Sequence, residues 1–277
     1  MADTTMDGSA LVDETWVHTP RGRLFVKTWD GAPSGGRGRA PMVLLHDSLG
    51  CVDLWRDFPE RLARAAGRCV VAYDRLGFGR SDTYPGALGP GFVDEEATGG
   101  FAAVRDHLEI GDFLVFGHSV GGGMATVCAA TYPRQCRALI TQSAQAFVEE
   151  RTLAGIREAQ RMFAGEGQID RLRRYHGDKA EWVLDAWVST WLSEAFRHWT
   201  LDDALRGVYC PVLAIHGEHD EYGSVRHPER IASGTAGPAA THILSECGHV
   251  PHREQPEAVL AAVESFLAEH ALTSAAQ

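Results

Sequence analysis

Apolar residues along this chain gather in short runs that alternate with amphipathic stretches. Residues 42–46, 69–73, 113–117, 138–141, 212–216 and 241–244 are β-rich and apolar at successive positions. That is the pattern of strands covered on both faces by helices. Between and after them, residues 54–66, 95–107, 121–132 and 256–270 read as helices. Strand–helix alternation of this kind predicts an α/β fold with a mostly parallel central sheet, right-handed crossovers and flanking helices. Ahead of it, residues 14–18 and 23–29 alternate around the turn signal Pro20-Arg21-Gly22 and predict an opening β-hairpin. The loop 31–39 is rich in Gly, Ser and Pro and is expected to be exposed.

The alternation breaks from residue 147 to 205. This stretch favours helix, carries charged runs, and holds the aromatics Phe163, Trp182, Trp187, Trp191, Phe196 and Trp199. Lying between two strand–helix units, it reads as a helical lid (147–205) inserted into a core formed by residues 1–146 and 206–277. About half of its aromatics are expected only to hold the lid down, because aromatics dominate burial in any helical layer.

At 277 residues the chain has room for one substantial core. Its formal net charge of −11, with no basic stripe, argues against nucleic acid and anionic membranes as partners. No window reaches the ~18 apolar residues of a membrane span. The acidic, polar start is wrong for a secretory signal, so a cytoplasmic location is expected. Lys27 and Lys179 are the only lysines, which leaves few candidates for Schiff-base chemistry. The six cysteines are scattered without a C-x-x-C pair, as expected of reduced thiols and not of a disulfide framework or a zinc site.

The strongest chemical signal is Gly117-His118-Ser119-Val120-Gly121, placed directly after an apolar run and before a helical stretch. This is G-x-S-x-G in the strand–turn–helix context that gives the motif its meaning. The glycines allow a sharp turn that projects Ser119 as a nucleophile, and the following helix N-terminus favours a developing oxyanion. A serine hydroxyl needs a base to take its proton. His249 lies in a loop between a strand and the final helix, with Gly248 before it to permit a tight turn, and His252 is its nearest competitor. The orienting acid should follow another strand; Asp220 is preferred over Glu218 and Glu221 by its distance from the strand end. A metal site built from His216, His219 and Asp220 is disfavoured, since no further ligands converge there. Oxyanion donors are expected at the Val120 amide and in the loop 46–50, at Ser48 or, by a one-residue slip, Leu49. Leu49, Trp55, His118, Trp187 and Trp191 are expected around the substrate, with packing as the alternative for His118.

With these pieces in order, the chain resembles the α/β-hydrolase family, in particular its lid-bearing single-domain esterases. The resemblance is carried by residues 46–50 (an oxyanion loop), by the turn Tyr73-Asp74-Arg75-Leu76-Gly77-Phe78-Gly79-Arg80-Ser81-Asp82, by the elbow at 117–121, and by Asp220 and His249 in the order Ser, Asp, His. It covers roughly residues 14 to 270. The turn 74–82 is expected to be structural. One departure is Asp47, which stands where the oxyanion loop commonly has glycine and could alter that loop. The resemblance implies a serine esterase that needs no cofactor and acts on a small-molecule ester with a small-to-medium apolar or aromatic group. Lactone, thioester or carbon–carbon hydrolysis with the same triad stays open, as does a lyase or perhydrolase use. So does the different class of a non-catalytic binding protein on this fold. Oligomeric state is not legible.

Overall fold

The computed structural model describes residues 10–31 and 39–273. Residues 1–9, residues 32–38 of the expected exposed loop and residues 274–277 of the polar tail lie outside them.

Side chains that alternate along each strand build two cores, one on either face of a single sheet. From β3 (Met42–Leu45), Val43 and Leu45 enter one core while Met42 and Leu44 enter the other. The remaining strands are β1 (Leu11–Thr19), β2 (Gly22–Asp30), β4 (Cys69–Tyr73), β5 (Phe113–His118), β6 (Cys136–Gln142), β7 (Val212–Gly217) and β8 (Ala239–Leu244). Their spatial order is β1-β2-β4-β3-β5-β6-β7-β8. The opening hairpin pairs antiparallel, β2 pairs antiparallel with β4, and every later pairing is parallel.

One face is covered by α1 (Phe58–Ala66) and α10 (Pro256–Glu269), through Phe58, Leu62, Val263 and Phe266. The other is covered by α2 (Phe92–Thr98), α3 (Gly100–His107), α4 (Val120–Thr131) and α9 (Arg226–Gly234). The helix expected at 95–107 is two helices, broken at Gly99, where a Cβ would stand 2.9 Å from the Glu95 carbonyl oxygen. The strand expected at 241–244 is present as β8, but it lies at an edge of the sheet with one strand neighbour and most of its residues exposed, not covered on both faces.

Between β6 and β7 the chain forms α5 (Glu150–Phe163), α6 (Gln168–His176), α7 (Ala180–Trp191) and the short α8 (Asp202–Leu205). It leaves and rejoins the core at one point: Phe147 bridges Thr200, and the Leu201 N–H donates to the Ala146 carbonyl at 2.8 Å. Among the described residues no helix is long and apolar enough to cross a membrane.

Candidate active site

Three parallel strands deliver three loops to the C-terminal edge of the sheet, the usual place for ligands in an open α/β sheet. After β5 the backbone turns so sharply that Ser119 adopts φ 55° and ψ −126°, a conformation that non-glycine residues rarely hold. The flanking glycines make the turn possible. A Cβ on Gly117 would lie 2.1 Å from the Gly121 carbonyl oxygen, and one on Gly121 would lie 2.1 Å from that of Leu45. The turn is secured by the Ser119 N–H donating to the Gln142 carbonyl (2.9 Å) and the Gly122 N–H to the Ser119 carbonyl (2.8 Å). The first turn of α4 starts at the next residue, so its partial positive charge lies beside the hydroxyl.

The loop after β7 brings Asp220 within 2.8 and 2.9 Å of His249 Nδ1, one distance for each carboxylate oxygen. The amides of Tyr222 (2.8 Å) and Gly223 (3.1 Å) also donate to Asp220 Oδ1. Burial works against the Asp220 charge, but His249, His216 and the Tyr222 amide outweigh it, and the pKa settles at about 2. For His249, burial again opposes the charged form. The Asp220 charge and hydrogen bond prevail, and the pKa rises above the ordinary histidine value. Asp220 is therefore ionised at neutral pH, and it fixes the imidazole with Nδ1–H inward and Nε2 toward the cavity.

Ser119 and His249 line one cavity of about 220 Å³ together with Ser48, Leu49, Trp187 and Trp191. The Ser119 hydroxyl donates to Gln145 Oε1 at 3.4 Å and makes no hydrogen bond to His249. Such contacts are often loose without substrate and tighten when it binds.

The expected competitor His252 sits elsewhere. Its ring packs 4.6 Å from that of Trp55, its Nδ1 meets Gln142 Nε2 at 2.7 Å, and burial holds its pKa well below the ordinary value. Trp55 and His118, both expected around the substrate, are also outside the cavity. A short 3₁₀ turn (Val52–Trp55) carries Trp55 into the core under the sheet, against Phe58 and Phe116. His118 alternates away from Ser119, and its Nε2–H donates to the His249 carbonyl at 2.8 Å, so it steadies the histidine loop from behind.

The loop after β3 is held by a buried polar cluster. Arg75 Nη2 donates to the Asp47 carbonyl (2.9 Å), as does His46 Nδ1 (2.8 Å), while the Arg75 N–H donates to His46 Nε2 (3.2 Å). In a trans peptide the carbonyl and the next N–H point in opposite directions. Anchoring the Asp47 oxygen therefore aims the Ser48 N–H away from Arg75. Neither that N–H nor that of Val120 has an acceptor among the described residues. The Asp47 carboxylate folds back to 3.8 Å from His118 Nδ1 and fills the space over Gly50, where a Cβ would be 2.0 Å from Oδ1.

The turn 74–82 is scaffolding. Asp74 accepts from the amides of Val52 (2.6 Å) and Arg80 (2.7 Å), and Ser81 Oγ links the Asp74 carbonyl to the Phe25 amide. Two residues of the inserted helices grip it. His176 accepts from the Gly79 N–H (2.9 Å) and donates to the Leu49 carbonyl (3.0 Å), and Lys179 Nζ donates to the Gly79 carbonyl (2.8 Å).

Gln145, Thr152, Ile156 and Tyr222 also line the cavity, beside Asp47, Glu221 and Val250, and escaped the reading of the sequence. Gln145 is three residues past the end of β6, a position that could have flagged it; the other three carry no such signal. His219, with Glu218 and Glu246, forms a solvent-exposed group whose ligand atoms lie within 4.8 Å of one another. It is separate from the buried His216 and Asp220, and exposed acidic side chains alone make no metal centre.

Known proteins resemble the chain in sequence and shape. The family model for the alpha/beta hydrolase fold matches residues 40–185. (Lyso)-N-acylphosphatidylethanolamine lipase of Mus musculus is 32% identical over 104 residues, 38% of this chain and 30% of that protein. The match thus spans less than a third of that relative's length. 2-Hydroxymuconate semialdehyde hydrolase of Pseudomonas sp. (strain CF600) is 26% identical over 261 residues, 83% of this chain and 87% of that protein. Among solved structures, a bacterial membrane phospholipase A superposes with a TM-score of 0.74 at 19% identity, covering 94% of this chain and 87% of that one. At that identity the likeness is one of fold.

Proposed function

This chain belongs to the alpha/beta hydrolase fold family, and we propose that within it the chain is a serine hydrolase that cleaves small-molecule carboxylic esters through an acyl-enzyme. The observation that carries this reading is the Asp220–His249 pair, joined at 2.8 Å, with its ring facing the same cavity as a serine on a strained elbow. In this reading His249 Nε2 takes the Ser119 proton as Oγ attacks the ester carbonyl. The Ser48 and Val120 N–H groups hold the oxyanion. His249 then protonates the departing alcohol, and a water deprotonated by the same ring releases the acid and restores Ser119. Asp220 keeps the tautomer and stabilises the imidazolium throughout.

The test is hydrolysis of p-nitrophenyl esters by wild type and Ser119→Ala. The expected result is turnover that falls by about 10⁴-fold or more in the variant, since triad members act as a unit. Equal rates in the two proteins would overturn the reading. A second reading, hydrolysis of a carbon–carbon bond by the same residues, is favoured by the relative that aligns over 83% of the chain. That relative is named for a compound whose name includes no ester. Turnover of a vinylogous diketone, with p-nitrophenyl esters left intact, would select it.

A further inference from the structure

The cavity that holds Ser119 and His249 is small. Its volume of about 220 Å³ falls below the roughly 300–1,000 Å³ of most ligand pockets. A larger chamber of about 400 Å³ lies on the other side of Arg75 and Phe78, between the opening hairpin, the loop 75–92 and helices α2 and α3. Leu24, Leu76, Leu88, Phe92, Ala103 and Met124 give it an apolar wall. At one end Arg21 and Glu95 face each other at 3.9 Å, both exposed to solvent.

Between cavity and chamber is a void of about 10 Å³, near the size a single water needs. Its wall is shared with both neighbours. Ser48, Trp187 and Trp191 also line the Ser119 cavity, and Arg75, Phe78, Leu88 and Phe92 also line the chamber. Val120 and Ala186 complete it. The three voids are separate but share these walls. A ligand chain leading from Ser119, past the two residues whose amides flank the oxyanion position, therefore reaches the chamber only at a pinch, by parting the aromatic and leucine side chains between them.

We propose that this chamber is the acyl-chain site, and that the enzyme takes esters of unbranched, neutral, medium-to-long-chain acids. The assignment rests on the serine-hydrolase reading. An ester carbonyl bound at Ser119 has two substituents. The alcohol leaves with a proton from His249, so it lies on the His249 side, within the 220 Å³ cavity. The acyl chain then points the other way, across Ser48 and Val120 and through the pinch. The side chains at this pinch part most readily for an unbranched methylene chain and resist branched or ring-bearing acyl groups. The chamber wall carries three acids, Glu95, Glu96 and Asp106, against two arginines, Arg21 and Arg75, so it offers an anionic chain end no net positive charge. Each methylene buried there strengthens binding on the order of fourfold.

The experiment is the rate of Ser119 labelling by ethyl and decyl fluorophosphonates, read by intact mass. The proteins are wild type, Ala103→Phe (which fills the chamber) and Leu88→Trp (which closes the pinch). The expected result is decyl labelling at least about tenfold faster than ethyl in wild type, with that preference lost in both variants and the ethyl rate unchanged. The ethyl rate also reports that each variant is folded, so either one can carry the test. A decyl preference that survives in a folded variant, or no preference in wild type, overturns the chamber assignment alone. Failure of both probes to label wild type at Ser119 overturns the serine-hydrolase reading and the assignment together.

Discussion

His249 is pulled in two directions, by burial toward the neutral ring and by Asp220 toward the charged one, and Asp220 prevails. As the general base proposed here, His249 must be neutral to act, so activity should rise with pH through a midpoint above the ordinary histidine value of about 6.5. Asp220→Asn removes the opposing charge and leaves burial in control, which moves the midpoint down. It also frees the ring to take the wrong tautomer. The expected outcome in kcat/KM against pH is an acid limb shifted to lower pH together with a rate loss of about 10⁴-fold. A limb that stays in place would mean that another group titrates there. That Ser119, Asp220 and His249 come together was legible in the sequence because each follows a strand at the same end of the sheet. Trp55 and His118 misled because nearness in sequence to a loop or a nucleophile says nothing about which side of the sheet a ring faces. A 3₁₀ turn sends the one beneath the sheet, and strand alternation sends the other behind the histidine loop.

The covering of a strand's faces was legible at the interior of the sheet and misjudged at the β8 edge. The apolar runs that became β3 to β7 are interior strands, whereas β8 has one strand neighbour and exposes most of its residues. Helix α9 escaped notice because its buried residues, His227, Pro228 and Ile231, include a histidine and a proline and are separated by charged Glu229 and Arg230. The single helix expected at 95–107 failed to foresee the break because Gly99-Gly100 is tolerated within a helical pattern. The strand–turn–helix unit around Ser119 has no such slack. At Gly117 a side chain would meet the backbone of the next helix turn at 2.1 Å, with no flexible side chain to give way. Gly117→Ala should therefore cost about 1–3 kcal/mol or more in urea unfolding, as overpacking does. Activity should fall with it, because the strain is relieved only by moving the elbow. An unchanged unfolding midpoint would mean that β5 and α4 can separate freely.

At the scale of the whole molecule, the inserted helices meet the core in two ways that bear on whether they are a separate folding unit. Ile156, Val188, Trp191 and Phe196 belong to the same apolar cluster as Val43, Val115 and Met124 of the sheet and its helices. His176, Lys179 and Thr152 add hydrogen bonds to the loops that carry the site, the last to the Tyr222 carbonyl at 2.7 Å. A segment that shares its core and its polar anchors with the rest of a chain should unfold with it, whereas one that merely rests on the surface would come away first. The tryptophans make this measurable: Trp182, Trp187, Trp191 and Trp199 are four of the seven in the chain and lie in the insertion. Tryptophan fluorescence therefore weights the insertion, while far-ultraviolet circular dichroism weights the whole. The two should trace one coincident transition in urea. Replacing Lys179 by Met, which removes its bond to Gly79, should lower both midpoints together. A fluorescence transition that precedes the loss of helix would identify the insertion as a unit able to open by itself, and would make its motion the step that admits substrate to Ser119.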